Sequence, residues 1–177
     1  KGEDKLAFSF ANNLFIYNVN TKSLRQINMA ETFTSVLDWY TNESRLLIAI
    51  KKNNISYLSQ YDLNTQTIVD LIETGVNYSA RLSNTDELVF HKNRVLHWGK
   101  RTFLFDELPE ISGMIYPVED ELIFQSGRQI IRFDGLNYSV MANGMPEEAK
   151  SIADVQSSHR LLLNSRDNQS AKIVALE

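Results

Sequence analysis

The chain has 177 residues, 43% of them hydrophobic and 23% charged, with 22 acidic against 18 basic side chains and a net charge of −4. That is enough for one domain with a real core, and the acidic balance argues against the basic footprint of a nucleic-acid-binding domain. No cysteine is present, which excludes disulfides, thiolate catalysis and cysteine-held zinc, and no apolar run reaches the roughly 18 residues of a membrane-spanning helix.

One short pattern recurs along the chain: two polar residues, a leucine, then apolar residues. It reads DKLAF (Asp4 to Phe8), SRLLI (Ser44 to Ile48), DELVF (Asp86 to Phe90), DELIF (Asp120 to Phe124) and HRLLL (His159 to Leu163). The anchoring leucines Leu6, Leu46, Leu88, Leu122 and Leu161 lie 40, 42, 34 and 39 residues apart. Such spacing is near the period of a four-stranded propeller blade. A sandwich or barrel also uses many short strands, but it does not repeat one anchor at near-constant period.

In the first repeat the anchor strand meets the turn Ala11 to Asn13, then strands LFIYNV (Leu14 to Val19) and SLRQIN (Ser23 to Asn28). The second opens on TSVLDWYT, turns at Lys51 to Asn54 and continues as ISYLSQYDL and TIVDLIE. YSARLSN opens the third, which turns at Lys92 and Asn93 and runs on as RVLHWG and TFLFDEL. The fourth is SGMIYPVE, the anchor strand, a turn at Ser126 to Arg128, QIIRFDG and NYSVMAN. KSIADVQS, the anchor strand and AKIVALE form the fifth, turning at Ser165 to Ser170. These runs favour β-branched and aromatic residues and several alternate with period two. Only Pro146 to Ile152, with Pro first and acids after it, reads as a turn of helix.

The fold class expected is therefore all-β: four-stranded antiparallel propeller-type blades, about four to five repeats, at residues 1–28, 29–73, 74–109, 110–145 and 146–177. With strands named a to d, the first repeat lacks its inner strand a and the last its outer strand d. An incomplete propeller leaves an open flank, so the expectation is continuation upstream into further blades, or burial of the flank against a second copy.

The second repeat, Leu37 to Leu71, resembles the repeat of TolB-like propellers, which runs Trp-Ser-Pro-Asp-Gly, a short apolar strand, then a strand ending Asp-Leu-x-Thr-Gly. Trp39, Leu46 to Ile48 and Asp62-Leu63-Asn64-Thr65 match it, while Thr41-Asn42-Glu43-Ser44 replaces the Ser-Pro-Asp-Gly turn. Ile16 to Ile27 echoes its second half. The resemblance implies a propeller fold and a binding style, and it carries over no catalytic residue. Blades of this kind occur in periplasmic translocation proteins, in peptidase gating domains and in sensor halves of membrane-tethered regulators of the CadC and ToxR type.

Chemistry-bearing motifs are sparse. His91, His97 and His159 form no HxH or HExxH, and zinc needs three or four converging ligands. GxSxG, P-loop and GxGxxG patterns are missing, so no catalytic residue, metal or cofactor is assigned. Asp38, Asp154 and Glu119 are the carboxylates nearest a propeller axis, and each reads first as a turn cap or ion-pair partner. Five Asn-x-Ser sequons read as products of Asn-rich turns. The basic run His91 to Arg101 contains Trp98, the basic-plus-aromatic mix that holds single strands, but one hairpin in an acidic chain supports no nucleic-acid contact.

Charge placement is more informative. In a propeller, b–c turns and d–a loops share one face. The turns carry Lys51, Lys52, Lys92, Arg94, Arg128 and Arg166, and the loops carry Glu31, Glu73 and Glu110, followed by Glu147 and Glu148. The expectation is a patterned, charged docking face for a protein partner, set against the plainer reading that polar turns simply solvate the fold. The leading functional reading is a non-enzymatic sensor or interaction module. It would be the C-terminal, periplasmic or otherwise extracytoplasmic part of a bacterial membrane-tethered transcriptional regulator, with no span in this chain. The alternative is a fragment of a propeller enzyme or peptidase gating domain.

Overall fold

The structure is a computed structural model. It describes residues 4–29, 32–74, 80–104, 106, 108–112, 114–143, 149–157, 160–165 and 171–175, with backbone alone for 32–34 and from 149 onward.

Every element among the described residues is a β-strand or a turn. β1 (Lys5–Phe10), β2 (Asn13–Asn18) and β3 (Ser23–Asn28) form a three-stranded antiparallel sheet. β4 (Thr32–Trp39), β5 (Arg45–Lys52), β6 (Ile55–Asp62) and β7 (Ile68–Thr74) form a four-stranded one. So do β8 (Ala80–Leu82), β9 (Leu88–Lys92), β10 (Val95–Trp98) and β11 (Arg101–Leu104), and likewise β12 (Ile115–Val118), β13 (Glu121–Ser126), β14 (Gln129–Phe133) and β15 (Tyr138–Ala142). The fifth sheet has three strands, β16 (Ala149–Ser157), β17 (Arg160–Ser165) and β18 (Ala171–Ala175). Within each sheet sequential strands pair, as in a meander. The chain forms two compact units, Lys1–Tyr78 with the first two sheets and Ser79–Glu177 with the other three.

Turn chemistry explains the meander. Each anchor strand of the first four sheets reverses through two residues: Ala11-Asn12, Asn53-Asn54, Asn93-Arg94 and Gly127-Arg128. Both positions have positive φ in the first three, from 46° to 66°. That geometry matches strand twist and favours Asn and Gly. The next turn is capped by a side chain in three sheets. Asn18 Oδ1 accepts from the Thr21 N–H at 2.8 Å. Asp62 Oδ1 accepts from Asn64 and Thr65 at 2.8 and 2.9 Å. Asp134 Oδ1 accepts from Leu136 and Asn137 at 2.8 and 2.7 Å. The Asp-Leu-Asn-Thr motif is thus a turn that ties down its own amides.

Two expectations are corrected. Residues 149–152, the second half of the proposed helical turn, lie in β16, because ladder pairing with β17 outweighs a weak local preference; residues 144–148 lie outside the described residues. Of the strand expected over TFLFDEL, Thr102 to Leu104 pair with β10 as part of β11 and Asp106 lies in a turn, while Phe105 and Glu107 lie outside the described residues.

Packing follows a consistent phase. Counted back from the hairpin, Leu6, Ile48, Leu88 and Leu122 are equivalent. In the first unit Ala7, Leu14, Ile16 and Ile27 of the first sheet pack against Leu46, Ile48, Ile50 and Tyr61 of the second. In the second unit Val89, Leu96 and Trp98 of the third sheet pack against Leu122, Phe124, Ile131 and Phe133 of the fourth. In both cores, then, the anchor-leucine face meets the preceding sheet and the opposite face meets the following one.

Burial of the anchors is uneven. Leu46 and Leu122 are fully buried and Leu88 half-buried, while Leu6 is exposed. The five leucines are therefore neither all equivalent nor all core residues: Ile48 takes the place that the repeat pattern gives to Leu46, and Leu6 is exposed because no described element covers its face. Leu161 lies beyond the described side chains.

Candidate docking surface

Those of the charged residues named from sequence that are described sit at one end of their sheets. In the first unit, register places Glu73 opposite Tyr57, at the same end as the hairpin that carries Lys51 and Lys52. In the second, Lys92 precedes the β9–β10 turn and Arg94 lies in it, Arg128 is in the β13–β14 turn, and exposed Glu110 belongs to the segment between β11 and β12. Ser112 in that segment grips the β13–β14 hairpin. Its N–H and hydroxyl donate to the Gln125 carbonyl at 2.8 and 3.1 Å, and its hydroxyl accepts from the Gly127 N–H at 3.0 Å. Arg166 and Glu31 lie outside the described residues.

Some of these cations are engaged by acids within their own units. Lys52 Nζ donates to Asp70 Oδ2 at 2.9 Å, and the buried Ser59 hydroxyl donates to Asp70 Oδ1 at 2.9 Å. Burial pushes the Asp70 carboxyl up, but these two donors and the Lys52 charge outweigh it and hold the group below its ordinary value. Arg94 reaches Asp106 at 3.4 Å with both side chains largely exposed, a pair worth little in water. Arg132 and Glu121 form a two-pronged ion pair across β13 and β14.

Among the candidates for chemistry, Asp38 accepts from the N–H of Trp39 at 2.9 Å, a local cap. His97 stacks on Phe90, centroids 4.4 Å apart and planes within 6°. Burial lowers the pKa of His91; burial and then the nearby Lys92 charge lower that of His97. Among the described residues no group of three or more His, Cys, Asp or Glu side chains is placed to hold a metal ion. Asp154 and His159 lie outside the described side chains.

A different surface stands out, and charge reasoning missed it. Alternation along β1, β2 and β3 sends Leu6, Phe8, Phe10, Asn13, Phe15, Tyr17, Leu24, Gln26 and Asn28 to the face opposite the core. Phe8 stacks on Phe15 at 5.4 Å, and Phe10 leans on the same ring at 6.5 Å. Phe10 is 70% exposed, Leu24 58% and Phe8 43%. No member of the face is charged. Part of the signal was present in LFIY, an apolar run on both faces, the pattern of a strand covered on both sides.

No protein-family model matches the sequence, and no curated protein matches it either. Solved structures do. The β-propeller domain of the Trilobed protease from Pyrococcus furiosus, described as having an open velcro topology, superposes with a TM-score of 0.61 at 13% identity over 98% of this chain and 66% of that one. TolB from Acinetobacter baumannii gives 0.54 at 12% identity, covering 98% of this chain and 52% of TolB. Pyrococcus horikoshii acylaminoacyl peptidase gives 0.65 at 12%, covering 96% of this chain and 35% of that one. The sheets are β-propeller blades. At these identities the likeness is one of fold, and the chain spans from about a third to about two thirds of the proteins it resembles. The blade view gives the uncharged face its meaning: it is the flank on which a preceding blade would pack.

Proposed function

We propose that this domain is a non-catalytic protein-interaction module, and that it forms the sensing, extracytoplasmic part of a bacterial membrane-tethered transcriptional regulator. The observation that carries the interaction reading is the uncharged face of β1–β3, with Phe8, Phe10 and Leu24 well exposed. Contiguous apolar surface of this kind marks sites that other protein surfaces cover. The hairpin cations Lys51 and Arg128 and the loop acid Glu110 supply charge that steers approach, while the apolar face supplies affinity.

Topology tests the location. Alkaline phosphatase fused after this domain in the full-length protein, expressed in a bacterium, is active if the domain is exported and inactive if it stays in the cytoplasm. The fold likeness to a protease propeller and to acylaminoacyl peptidase supports a second reading, a propeller that gates an attached hydrolase. A fluorophosphonate probe distinguishes the two. Labelling of the full-length protein supports the gating reading, and a regulator gives none.

A further inference from the structure

We propose that the cleft between β11 and β15, the outer strands of the third and fourth sheets, is a docking groove for an extended peptide that carries a carboxylate and, two residues on, an aromatic or branched apolar side chain. This goes beyond the interaction reading above and is independent of it, since both walls lie within the second unit and neither belongs to the first sheet.

Strand register shows how the groove arises. Arg101 and Phe103 pair with Trp98 and Leu96, so both side chains leave β11 on the face that packs against the fourth sheet. Tyr138 and Val140 pair with Phe133 and Ile131, so both leave β15 toward the third sheet. Phe133 and Ile131 are buried, yet Tyr138 is 49% and Val140 42% exposed. Neighbours on one face differ in this way because the two sheets meet at their middle strands and diverge at their outer ones. Phe103, edge-on to Phe133 with centroids 4.9 Å apart, forms the floor.

What lines the groove names its occupant. In the first unit the place of Tyr138 is taken by Asp70, each pairing with the residue four on from the one that closes the hairpin. Asp70 is held there by Lys52 and Ser59. The second unit instead shows water a tyrosine and a valine, with a cation at the turn end. Arg101 lies over the Trp98 ring, with Nη1 close to Gly135 of the β14–β15 turn. Among the described residues no acid pairs with it: Asp134 accepts from the Leu136 and Asn137 amides, and Glu121 is paired with Arg132. A guanidinium backed by a ring keeps its fork of N–H donors for a carboxylate.

Spacing sets the peptide's pattern. Side chains two residues apart on one face of a strand lie about 7 Å apart, which separates Arg101 from Phe103 and Tyr138 from Val140. Both strands start at the same end of their sheets, so Phe103 and Val140 form the next level along the groove. An extended peptide has the same repeat, and a carboxylate at Arg101 sets the side chain two residues on between Phe103 and Val140.

NMR titration of the 177-residue chain with two capped hexapeptides, Gly-Glu-Ser-Phe-Ser-Gly and Gly-Lys-Ser-Phe-Ser-Gly, tests the proposal. The glutamate peptide should bind with a Kd of about 1 mM or below, shifting amides of β11, β15 and the β14–β15 turn. The lysine peptide should bind at least about 10-fold more weakly. Arg101→Gln should abolish that preference and Arg101→Lys should retain part of it, a readout that lost packing alone would not move. Val140→Thr, which keeps the shape and β preference of the side chain, should weaken the glutamate peptide about 3-fold or more. Phe10→Asp, on the first sheet, should leave its affinity unchanged. No saturable shift up to about 10 mM, shifts outside these strands, or equal affinity for the two peptides overturns the proposal. None of these results alters the alkaline phosphatase outcome, so this inference and the regulator reading fail separately.

Discussion

Leu6 and Leu122 stand at the same place in their sheets, each four residues before the residue that closes the hairpin, yet Leu6 is 55% exposed and Leu122 is fully buried. Their strands have the same phase, so the difference comes from the neighbours and not from register. Leu122 meets Val89 and Trp98 of the third sheet. Leu6 points to the flank of the first sheet that no described element covers.

This contrast predicts a split within one sequence pattern. Leu46→Ala and Leu122→Ala should each cost about 2–5 kcal/mol by urea unfolding, the usual loss for a core leucine. Leu6→Ala should cost about 0.5 kcal/mol or less in dilute protein. Equal losses at Leu6 and Leu122 would show that the first sheet is covered.

How much was legible in sequence follows from the same comparison. The hairpins were readable because Asn53-Asn54 and Asn93 tolerate positive φ, and the leucine anchors were readable because phase is locked to the turn. Coverage of a face depends on a neighbouring sheet, and nothing within KLAFSF reports whether one is there. The charged residues were readable by type, but Asp70 and Asp106, which draw Lys52 and Arg94 sideways, reach them through strand pairing and chain reversal. Local pattern failed where pairing overruled it, as at residues 149–152 in β16.

The Lys52–Asp70–Ser59 group makes a second prediction. Ser59 is fully buried, and Asp70 is the acceptor for its hydroxyl. Asp70→Ala should cost about 1–3 kcal/mol, because a buried donor loses its partner. Lys52→Ala should cost less than about 1 kcal/mol, since that ion pair is roughly one-third exposed. Denaturation in which Lys52→Ala is the more damaging change would contradict this ordering.

Stability should fall in mild acid. The folded pKa of His91 and of His97 lies below the ordinary value, so below about pH 6.5 the unfolded chain takes up protons that the folded chain resists. Stability is full above that pH and is lost as pH drops toward the folded values. Asp70, with a lowered folded pKa, adds a separate loss below about pH 4. Thermal melts at pH 7.5 and 5.5 should differ for the native chain, and replacing both histidines with Gln should flatten the difference. An unchanged slope in that variant would assign the effect elsewhere.

Gly135 and Arg101 couple two blades of the second unit. Arg101 lies over the Trp98 ring, its guanidinium carbon 4.1 Å from the centroid. A Cβ on Gly135, where φ is +90°, would sit 2.8 Å from Arg101 Nη1. Gly135→Ala should cost about 1–3 kcal/mol from backbone strain alone, plus the displacement of Arg101. Arg101→Ala should cost about 0.5–1 kcal/mol. The double variant should be less destabilised than the sum of the two, because truncating Arg101 removes the clash. Strict additivity in unfolding would place Arg101 elsewhere.

The central claim is that the uncharged flank of the first sheet is a surface that other protein covers, and hydroxyl-radical footprinting of the full-length protein measures that directly. Leu136 in the β14–β15 turn and Tyr138 at the start of β15, 89% and 49% exposed, provide an internal reference. The account predicts that Phe8, Phe10 and Tyr17 are protected relative to that reference in the full-length protein, and become reactive in the Phe10→Asp variant at its remaining ring positions. Oxidation of Phe8 and Phe10 in the native protein at the rate their exposure implies would contradict it.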